Sequence, residues 1–192
     1  MIFWHNKFIC LIILAGSASE FLAEDAASDQ QTFYPIRYKN CKSQFEVLSV
    51  AITTNCSSTD RCHFSRGSVL AIQIVFKPNR RVESLQTAVW AHLGDARGAL
   101  ARFHIDNENA CADSNITCPV EPGQTYWYTQ PVRMLAEYPA VEVQVNWLLT
   151  SHTALSSDSD GGTAERGQPP RAREICVKML AKLMEKSDTE TK

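Results

Sequence analysis

The residues of this chain with the most reactive side chains are its cysteines. There are seven, and two of them, Cys111 and Cys118, enclose the six residues "ADSNIT". A pair at this separation could form half of a metal site, a redox pair or a loop closed by a disulfide. The choice depends on the compartment, because thiols stay reduced in the cytosol and oxidise outside it.

The N-terminal residues indicate export. Lys7 precedes an apolar run from Phe8 to Ala15, and the small residues 16–19 follow. A basic residue, a short apolar run and a small-residue cleavage site are typical of a secretory signal peptide. A membrane anchor is the alternative, but a spanning helix needs ~20 apolar residues. The sequence therefore predicts a signal peptide over residues 1–19 and a protein that is secreted or delivered to the lysosomal lumen.

Cleavage of the signal peptide would remove Cys10 and leave an even number of cysteines. In an exported protein an even number favours three disulfides, for which the sequence alone leaves fifteen pairings open. Two pairs are close in sequence, and their spacing is longer than the two to four residues that usually separate zinc ligands. We therefore expect disulfides rather than a metal site at Cys41, Cys56, Cys62, Cys111, Cys118 and Cys176.

Two sequons are present in the predicted mature chain. Asn115-Ile116-Thr117 lies inside the Cys111–Cys118 segment, and Asn55-Cys56-Ser57 is a weaker site because cysteine occupies its middle position. After a signal peptide, such sequons predict N-glycosylation in surface loops. The expected glycosylation sites are Asn115 and Asn55.

The sequence carries no catalytic motif. It has no Gly-x-Ser-x-Gly elbow, no His-Glu-x-x-His pair and no phosphate-binding glycine loop, and its acidic residues are scattered. The net charge is −2, without the concentrated basic face that nucleic-acid binding requires. We expect a protein that is not an enzyme, needs no cofactor or metal and does not bind nucleic acid.

Alternation of apolar and polar residues predicts β-strands along the mature chain. Seven segments show it, and almost no helical periodicity is present. They are Phe45–Thr53, Ser68–Phe76, Leu85–Leu93, Gly98–Ile105, Gln124–Tyr128, Val141–Leu149 and a last strand near Glu174–Met179. In Val141–Leu149 the apolar residues share one face, and Glu142, Gln144 and Asn146 are expected to face water. About seven short strands indicate an all-β, immunoglobulin-like antiparallel sandwich.

Two segments do not fit this pattern. Residues 151–174 are polar and rich in Ser, Asp, Gly and Pro, so they are expected to form a flexible loop before the last strand. Residues 181–192 form a charged C-terminal tail that is expected to fray. The sandwich domain itself is assigned to residues 33–180.

The cysteines and their neighbours together resemble the MD-2-related lipid-recognition (ML) family, in its Niemann–Pick C2-like branch. The likeness covers roughly Cys41 to Met179 and depends on the order and spacing of several elements. These are Cys41 and Cys56, then Cys62-His-Phe-Ser-Arg-Gly67, Phe103-His104-Ile105, Cys118-Pro119-Val120, Thr125-Tyr126-Trp127-Tyr128, Glu137-Tyr138-Pro139, Trp147 and Cys176.

The resemblance implies the disulfides Cys41–Cys176, Cys56–Cys62 and Cys111–Cys118. This chain also departs from the family pattern. Both short cysteine loops are a residue longer than usual, the segment 151–174 replaces a short hairpin, and residues 180–192 extend past the usual end. Rim geometry and partner contacts inferred from relatives are less transferable for that reason.

The resemblance further implies two sheets splayed around an internal apolar lipid cavity. Burying hydrocarbon there would release about 0.8 kcal/mol per CH₂. Position in the family pattern and strand phase together nominate the lipid-binding residues Phe64, Leu70, Phe103, Ile105, Met134, Tyr138, Pro139, Val145 and Trp147. Phe103 and Tyr138 are the expected gate, with Pro139 shaping the mouth and Trp147 the most core-like of the set.

The function expected from this resemblance is the carriage of sterols or related lipids such as fatty acids. The expected partners are that lipid and a membrane surface or lipid-accepting membrane protein, with the carrier acting as a monomer. A recognition module for microbial lipids or hydrophobic semiochemicals is the main alternative. A purely structural sandwich or an enzyme is the remaining one. Transfer between vesicles would favour the carrier, and receptor engagement would favour the recognition module.

Overall fold

The structure is a computed structural model that describes residues 31–56, 60–94, 98–152 and 171–185. In these ranges the regular secondary structure consists of ten strands, without a helix. They are β1 Tyr34–Pro35, β2 Lys39–Asn40, β3 Glu46–Ile52, β4 Cys62–Ser65, β5 Val69–Lys77, β6 Gln86–Leu93, β7 Leu100–Phe103, β8 Tyr126–Arg133, β9 Glu142–His152 and β10 Arg171–Met184. The predicted signal peptide lies outside these ranges.

The strands form two sheets, which confirms the predicted all-β sandwich. The first sheet has the order β1-β3-β5-β8, and the second has the order β2-β10-β9-β6-β7. Neighbours along both sheets are antiparallel. Seven of the strands match the predicted segments, and β1, β2 and β4 are additional.

β4 is an exception to the predicted antiparallel arrangement. It runs parallel to the end of β10, with Phe64 opposite Leu183. β3 belongs to the first sheet and β4 to the second. A strand that changes sheets can pair parallel or antiparallel with its new neighbour. Side-chain alternation is the same in both cases, so the sequence pattern does not indicate the direction.

The strands form because their apolar residues alternate with polar ones and bury one face. In β5, Leu70, Ile72, Ile74 and Phe76 are buried, whereas Val69 is exposed. The same alternation buries Val143, Trp147 and Leu149 of β9. β-Branched and aromatic side chains suit such a half-buried pleated surface.

One residue of β9 differs from its prediction. Asn146, expected to face water, is only 8% exposed. On the outer face of the sheet it lies between Trp90 of β6 and Lys178 of β10, its register partners. These long side chains cover the short amide, and Gln144 donates a hydrogen bond of 3.3 Å to its Oδ1. Large neighbours thus bury a polar residue on a nominally solvent-facing side.

The last two strands are longer than the sequence predicted. β9 continues to His152 and β10 already begins at Arg171, so both ends of the predicted flexible loop 151–174 are strand. Residues 153–170 lie outside the described ranges. β10 also continues to Met184, which places 181–184 of the predicted tail in the sheet. Pairing with β9 and β4 on both sides stabilises this extension.

Three disulfides connect the sandwich, and they are the pairs that the resemblance implies. They join Cys41 to Cys176, Cys56 to Cys62 and Cys111 to Cys118. In the first, the Cα atoms are 5.0 Å apart and the N–H of Cys41 donates to the Cys176 carbonyl oxygen at 2.8 Å. That bond connects the start of the sandwich to its last strand across 135 residues.

A buried carboxylate lies near the start of β10. A register shift between Arg173 and Ile175 marks a bulge there, and the Glu174 side chain is fully buried. Its Oε1 accepts hydrogen bonds from Arg80, at 2.7 Å, and from the Ser151 hydroxyl. The guanidinium that pairs with it also lies 5.5 Å from the centre of the Phe45 ring. The bulge explains how an acidic residue comes to point inward.

Candidate functional site

A cavity of about 170 Å³ lies between the two sheets. It is bordered by β3, β5 and β8 on one side, by β4, β6, β7, β9 and β10 on the other, and by the segment after β8. Its lining residues are Ile52, Phe64, Leu70, Ile72, Val89, Ala91, Leu93, Ala101, Arg102, Phe103, Val132, Met134, Tyr138, Pro139, Val141, Val143, Val145, Trp147, Met179 and Leu183. Almost all of these side chains are hydrocarbon, so the cavity suits an apolar guest.

The cavity exists because small residues meet in register on the inner face of the second sheet. Ala91 of β6 lies between Ala101 of β7 and Val145 of β9. The adjacent inward positions carry larger side chains, such as Phe103. The larger side chains around this row set the distance between the sheets. The methyl and isopropyl groups of the row are too short to reach across that distance, so a gap remains.

Two aromatic residues meet at one edge of this cavity. The ring centroids of Phe103 and Tyr138 are 5.1 Å apart, with the ring planes inclined by 55°. Both side chains are half-buried, and Pro139 beside them is exposed. Partial burial raises the pKa of Tyr138, and the neighbouring charge of Glu137 adds to that effect. A tilted aromatic pair of this kind covers apolar space while leaving one face in contact with water.

The segment that carries Tyr138 is attached to the sandwich by Arg66. Its guanidinium donates to the Tyr138 carbonyl oxygen at 2.9 Å and forms an ion pair with Glu185. The N–H of Arg66 donates to the Met184 carbonyl oxygen at 2.9 Å. The next residue, Gly67, has φ +74°, which side-chain-bearing residues rarely adopt. This turn therefore positions the segment that carries Tyr138 at the edge of the cavity.

Two ion pairs hold the chain near Phe103. Asp106, three residues after it, accepts a hydrogen bond of 2.8 Å from Arg133 at the end of β8. Arg102 likewise donates to Glu108 at 2.5 Å. Both pairs are solvent-exposed, so each contributes little to stability, but together they fix the path of the chain around Phe103.

A polar cluster lies in the core beside Trp147 and is separate from the cavity lining. The Tyr128 and Thr87 hydroxyls lie 2.8 Å apart, and the Tyr128 and Trp147 ring centroids are 6.3 Å apart. Burial raises the pKa of Tyr128, while the hydrogen bond with Thr87 acts in the opposite direction. This cluster is hydrogen-bonded within the core and does not face the cavity.

The structure brings eight of the nine nominated lipid-binding residues together around the cavity. Phe64, Leu70, Phe103, Met134, Tyr138, Pro139, Val145 and Trp147 all line it. Ile105 does not: it is buried in the core after the end of β7, where strand phase no longer predicts direction. Sequence reasoning missed Ile52, Ile72, Val89, Ala91, Leu93, Ala101, Arg102, Val132, Val141, Val143, Met179 and Leu183. For several of these, the alternation of apolar residues along β5, β6 and β9 could have predicted that the side chain points between the sheets.

The lining of the cavity offers mainly apolar contact. Within the described ranges, no three His, Cys, Asp or Glu side chains are arranged to hold a metal ion, and no helix is long and apolar enough to cross a membrane. Asn55 and Asn115 are both exposed, and Asn115 has φ +63° within its disulfide loop.

The fold and the cavity define a β-sandwich with an apolar interior site. A family model described as the ML domain matches residues 35–156. The chain therefore belongs to the ML-domain family.

Several relatives are similar over most of the chain. Putative protein heh-1 of Caenorhabditis elegans is 33% identical, over 80% of this chain and 90% of that protein. NPC intracellular cholesterol transporter 2 of Bos taurus is 30% identical, over 74% of this chain and 85% of that protein. A crystal structure of a Niemann-Pick type C2 protein from Japanese carpenter ant has a TM-score of 0.62 at 18% identity, and covers 78% of this chain and all of that one. The last likeness supports the fold.

Proposed function

We propose that this protein takes up a single sterol or fatty acid in the cavity between its sheets and carries it through an extracellular or lumenal fluid. The observation that carries the proposal is the apolar cavity bordered by the Phe103–Tyr138 pair. Relatives named as cholesterol transporters support the same class of ligand. The three disulfides fit an oxidising compartment.

The energetics of such a site need no reactive group. Each CH₂ group moved out of water contributes about 0.8 kcal/mol. The cavity of about 170 Å³ is smaller than the roughly 300–1,000 Å³ of most small-molecule sites, so a sterol requires side chains to move. Phe103 and Tyr138 are suited to move because both are half-buried and lie outside the tightly packed core. Uptake is therefore coupled to a rearrangement at the mouth.

The test is sterol transfer between vesicles. Ala101→Phe places a large ring beside Ala91, where small side chains leave the cavity open. This variant should abolish binding and transfer of a fluorescent sterol. Leu100→Phe is the matched control, because Leu100 is the adjacent residue, is 53% exposed and does not line the cavity. Equal transfer by both variants would contradict the proposal. Binding without transfer would instead favour a lipid-recognition module.

Glycosylation and export form a second part of the proposal. Asn115 is exposed and held between two bonded cysteines, which suits a modified surface loop. Glycosidase treatment of protein secreted from eukaryotic cells should lower its mass, and Asn115→Gln should remove most of that shift. An unchanged mass, or retention of the protein in the cytosol, would contradict this part.

A further inference from the structure

The outer backbone edge of β7 forms part of the border of the cavity. Among the described strands β7 pairs only with β6, and its residues Ala101, Arg102 and Phe103 all line the cavity. An edge strand leaves every second N–H and C=O without a partner in the sheet. Backbone polar groups therefore lie at the border of a space that is otherwise apolar.

The hydrogen-bond pattern identifies which groups these are. The N–H of Leu93 donates to the Ala99 carbonyl oxygen at 3.0 Å, so these opposed residues form a hydrogen-bonded pair. Bonded and non-bonded pairs alternate along an antiparallel ladder. Ala101 and Phe103 therefore bond to β6, whereas the N–H and C=O of Arg102 point away from it.

The other side of β6 gives the same result. The N–H of Gly94 donates to the Glu142 carbonyl oxygen of β9 at 2.8 Å. By the same alternation Trp90, which lies opposite Arg102, directs its backbone groups toward β9. In the described part of the chain nothing else bonds to the backbone of Arg102.

The side chain of Arg102 is already engaged. Neighbouring residues of a strand point to opposite faces, and Ala101 and Phe103 point inward, so the guanidinium points outward. There it donates to Glu108 at 2.5 Å. The positive charge is thereby paired, which makes a neutral polar group a better neighbour for this edge than a second carboxylate.

We infer that the backbone N–H of Arg102 donates a hydrogen bond to the hydroxyl oxygen of a bound lipid whose hydrocarbon fills the cavity. The Arg102 carbonyl oxygen, which points to the same side, repels a carboxylate more strongly than a neutral hydroxyl group. A hydroxyl placed deeper would lose its hydrogen bonds to water among hydrocarbon side chains, which is unfavourable. This assignment rests on the proposed lipid-binding function and deepens it, since it favours an alcohol-headed lipid such as a sterol over a fatty acid.

The ligand side of the test uses the wild-type protein. Cholesterol should bind about fivefold more tightly than its 3-deoxy analogue, the preference expected from one neutral hydrogen bond. Equal affinity would overturn the inference while leaving lipid binding intact. Failure of both sterols to bind would overturn the proposed function itself. Tighter binding of palmitate than of cholesterol, lost in Arg102→Ala, would assign the edge to a carboxylate instead.

The protein side of the test removes the donor. Arg102→Pro deletes an N–H that makes no bond in the sheet, which an edge strand tolerates, and should bind both sterols equally. Leu100→Pro is the matched control, because the N–H of Leu100 also points away from β6 but Leu100 does not line the cavity. This variant should still bind cholesterol more tightly than the deoxy analogue. Arg102→Ala should do so too. A preference that survives in Arg102→Pro, or that disappears in Tyr138→Phe, would contradict the assignment.

A measurement on the unaltered protein covers the case in which the proline variant does not fold. Cholesterol should slow hydrogen exchange at the Arg102 amide, and the deoxy analogue should not. Equal exchange with and without cholesterol at saturating ligand would overturn the inference.

Discussion

The ring of Phe103 lies against the ring of Tyr138, with centroids 5.1 Å apart, and this contact joins the edge strand β7 to the segment after β8. The two residues come from different sides of the sandwich. Their contact therefore borders the cavity without belonging to the packing of either sheet. In the proposed mechanism, separation of the rings opens a path inward with little change to the sheets.

The first prediction concerns that contact. Phe103→Ala should weaken sterol binding by tenfold or more, because it removes apolar contact and leaves the mouth open, while the melting temperature falls only slightly. The control is Phe76→Ala: Phe76 is fully buried, stacks on Phe45 and does not line the cavity. It should cost about 3–5 kcal/mol of stability.

Parallel binding and thermal-melt measurements distinguish these effects. A melting shift in Phe103→Ala as large as that in Phe76→Ala, with proportionate loss of binding, would return Phe103 to the core. That result would remove the gate from the mechanism.

The second prediction concerns the disulfides. In the chain-entropy model the Cys41–Cys176 bond, which spans 135 residues, should contribute about 5 kcal/mol to the free energy of unfolding. The Cys56–Cys62 bond spans only 6 and should contribute roughly half as much. Paired Cys→Ser variants, unfolded in urea, test the difference. A larger loss from the short loop would show that local strain or packing, rather than loop closure, governs the effect.

The third prediction concerns the buried carboxylate of Glu174. Arg80→Ala leaves that carboxylate without its cation in a fully buried position and should cost about 3–5 kcal/mol. Arg81→Ala is the matched control, because Arg81 pairs with Glu83 and Glu121 at the surface, where loss of an ion pair changes stability little. Urea unfolding compares them. Equal effects would mean that the Arg80 pair is effectively solvated.

The fourth prediction concerns alkaline pH. Burial raises the pKa of Tyr128 above the ordinary 10.0, so the folded state holds the phenol proton more tightly than the unfolded state does. The resulting stability is fully present below pH ~10 and is lost as the pH rises toward the folded-state pKa. Tyr128→Phe should flatten this decline. Unfolding free energies at pH ~8 to 11 measure it, and identical slopes in both proteins would contradict the assignment.

Much of the fold could be predicted from the sequence, because alternation along β5, β6 and β9 is strong. Other features depended on pairing partners. β10 reaches Met184 only because β4 and β9 flank it, and Asn146 is buried by Trp90 and Lys178 from neighbouring strands. Single-strand patterns do not contain such information.

The candidate site also contains some residues that the sequence pattern marks and others that only strand pairing reveals. Large residues such as Phe103 and Tyr138 were nominated because the family pattern marks them. Ala91 and Ala101 were missed, although their small size creates the space. An alanine in a strand gives no sign by itself of what faces it, and the row emerges only once the register places Ala91 beside Ala101 and Val145.

The most direct test of the central claim is photo-crosslinking with a sterol that carries a diazirine, followed by peptide mapping. We expect one adduct per chain, located on cavity-lining residues of β7 and β9 and competed away by cholesterol. Labelling confined to the exposed outer face of the first sheet, for example at Trp127, would contradict the claim that the guest lies between the sheets.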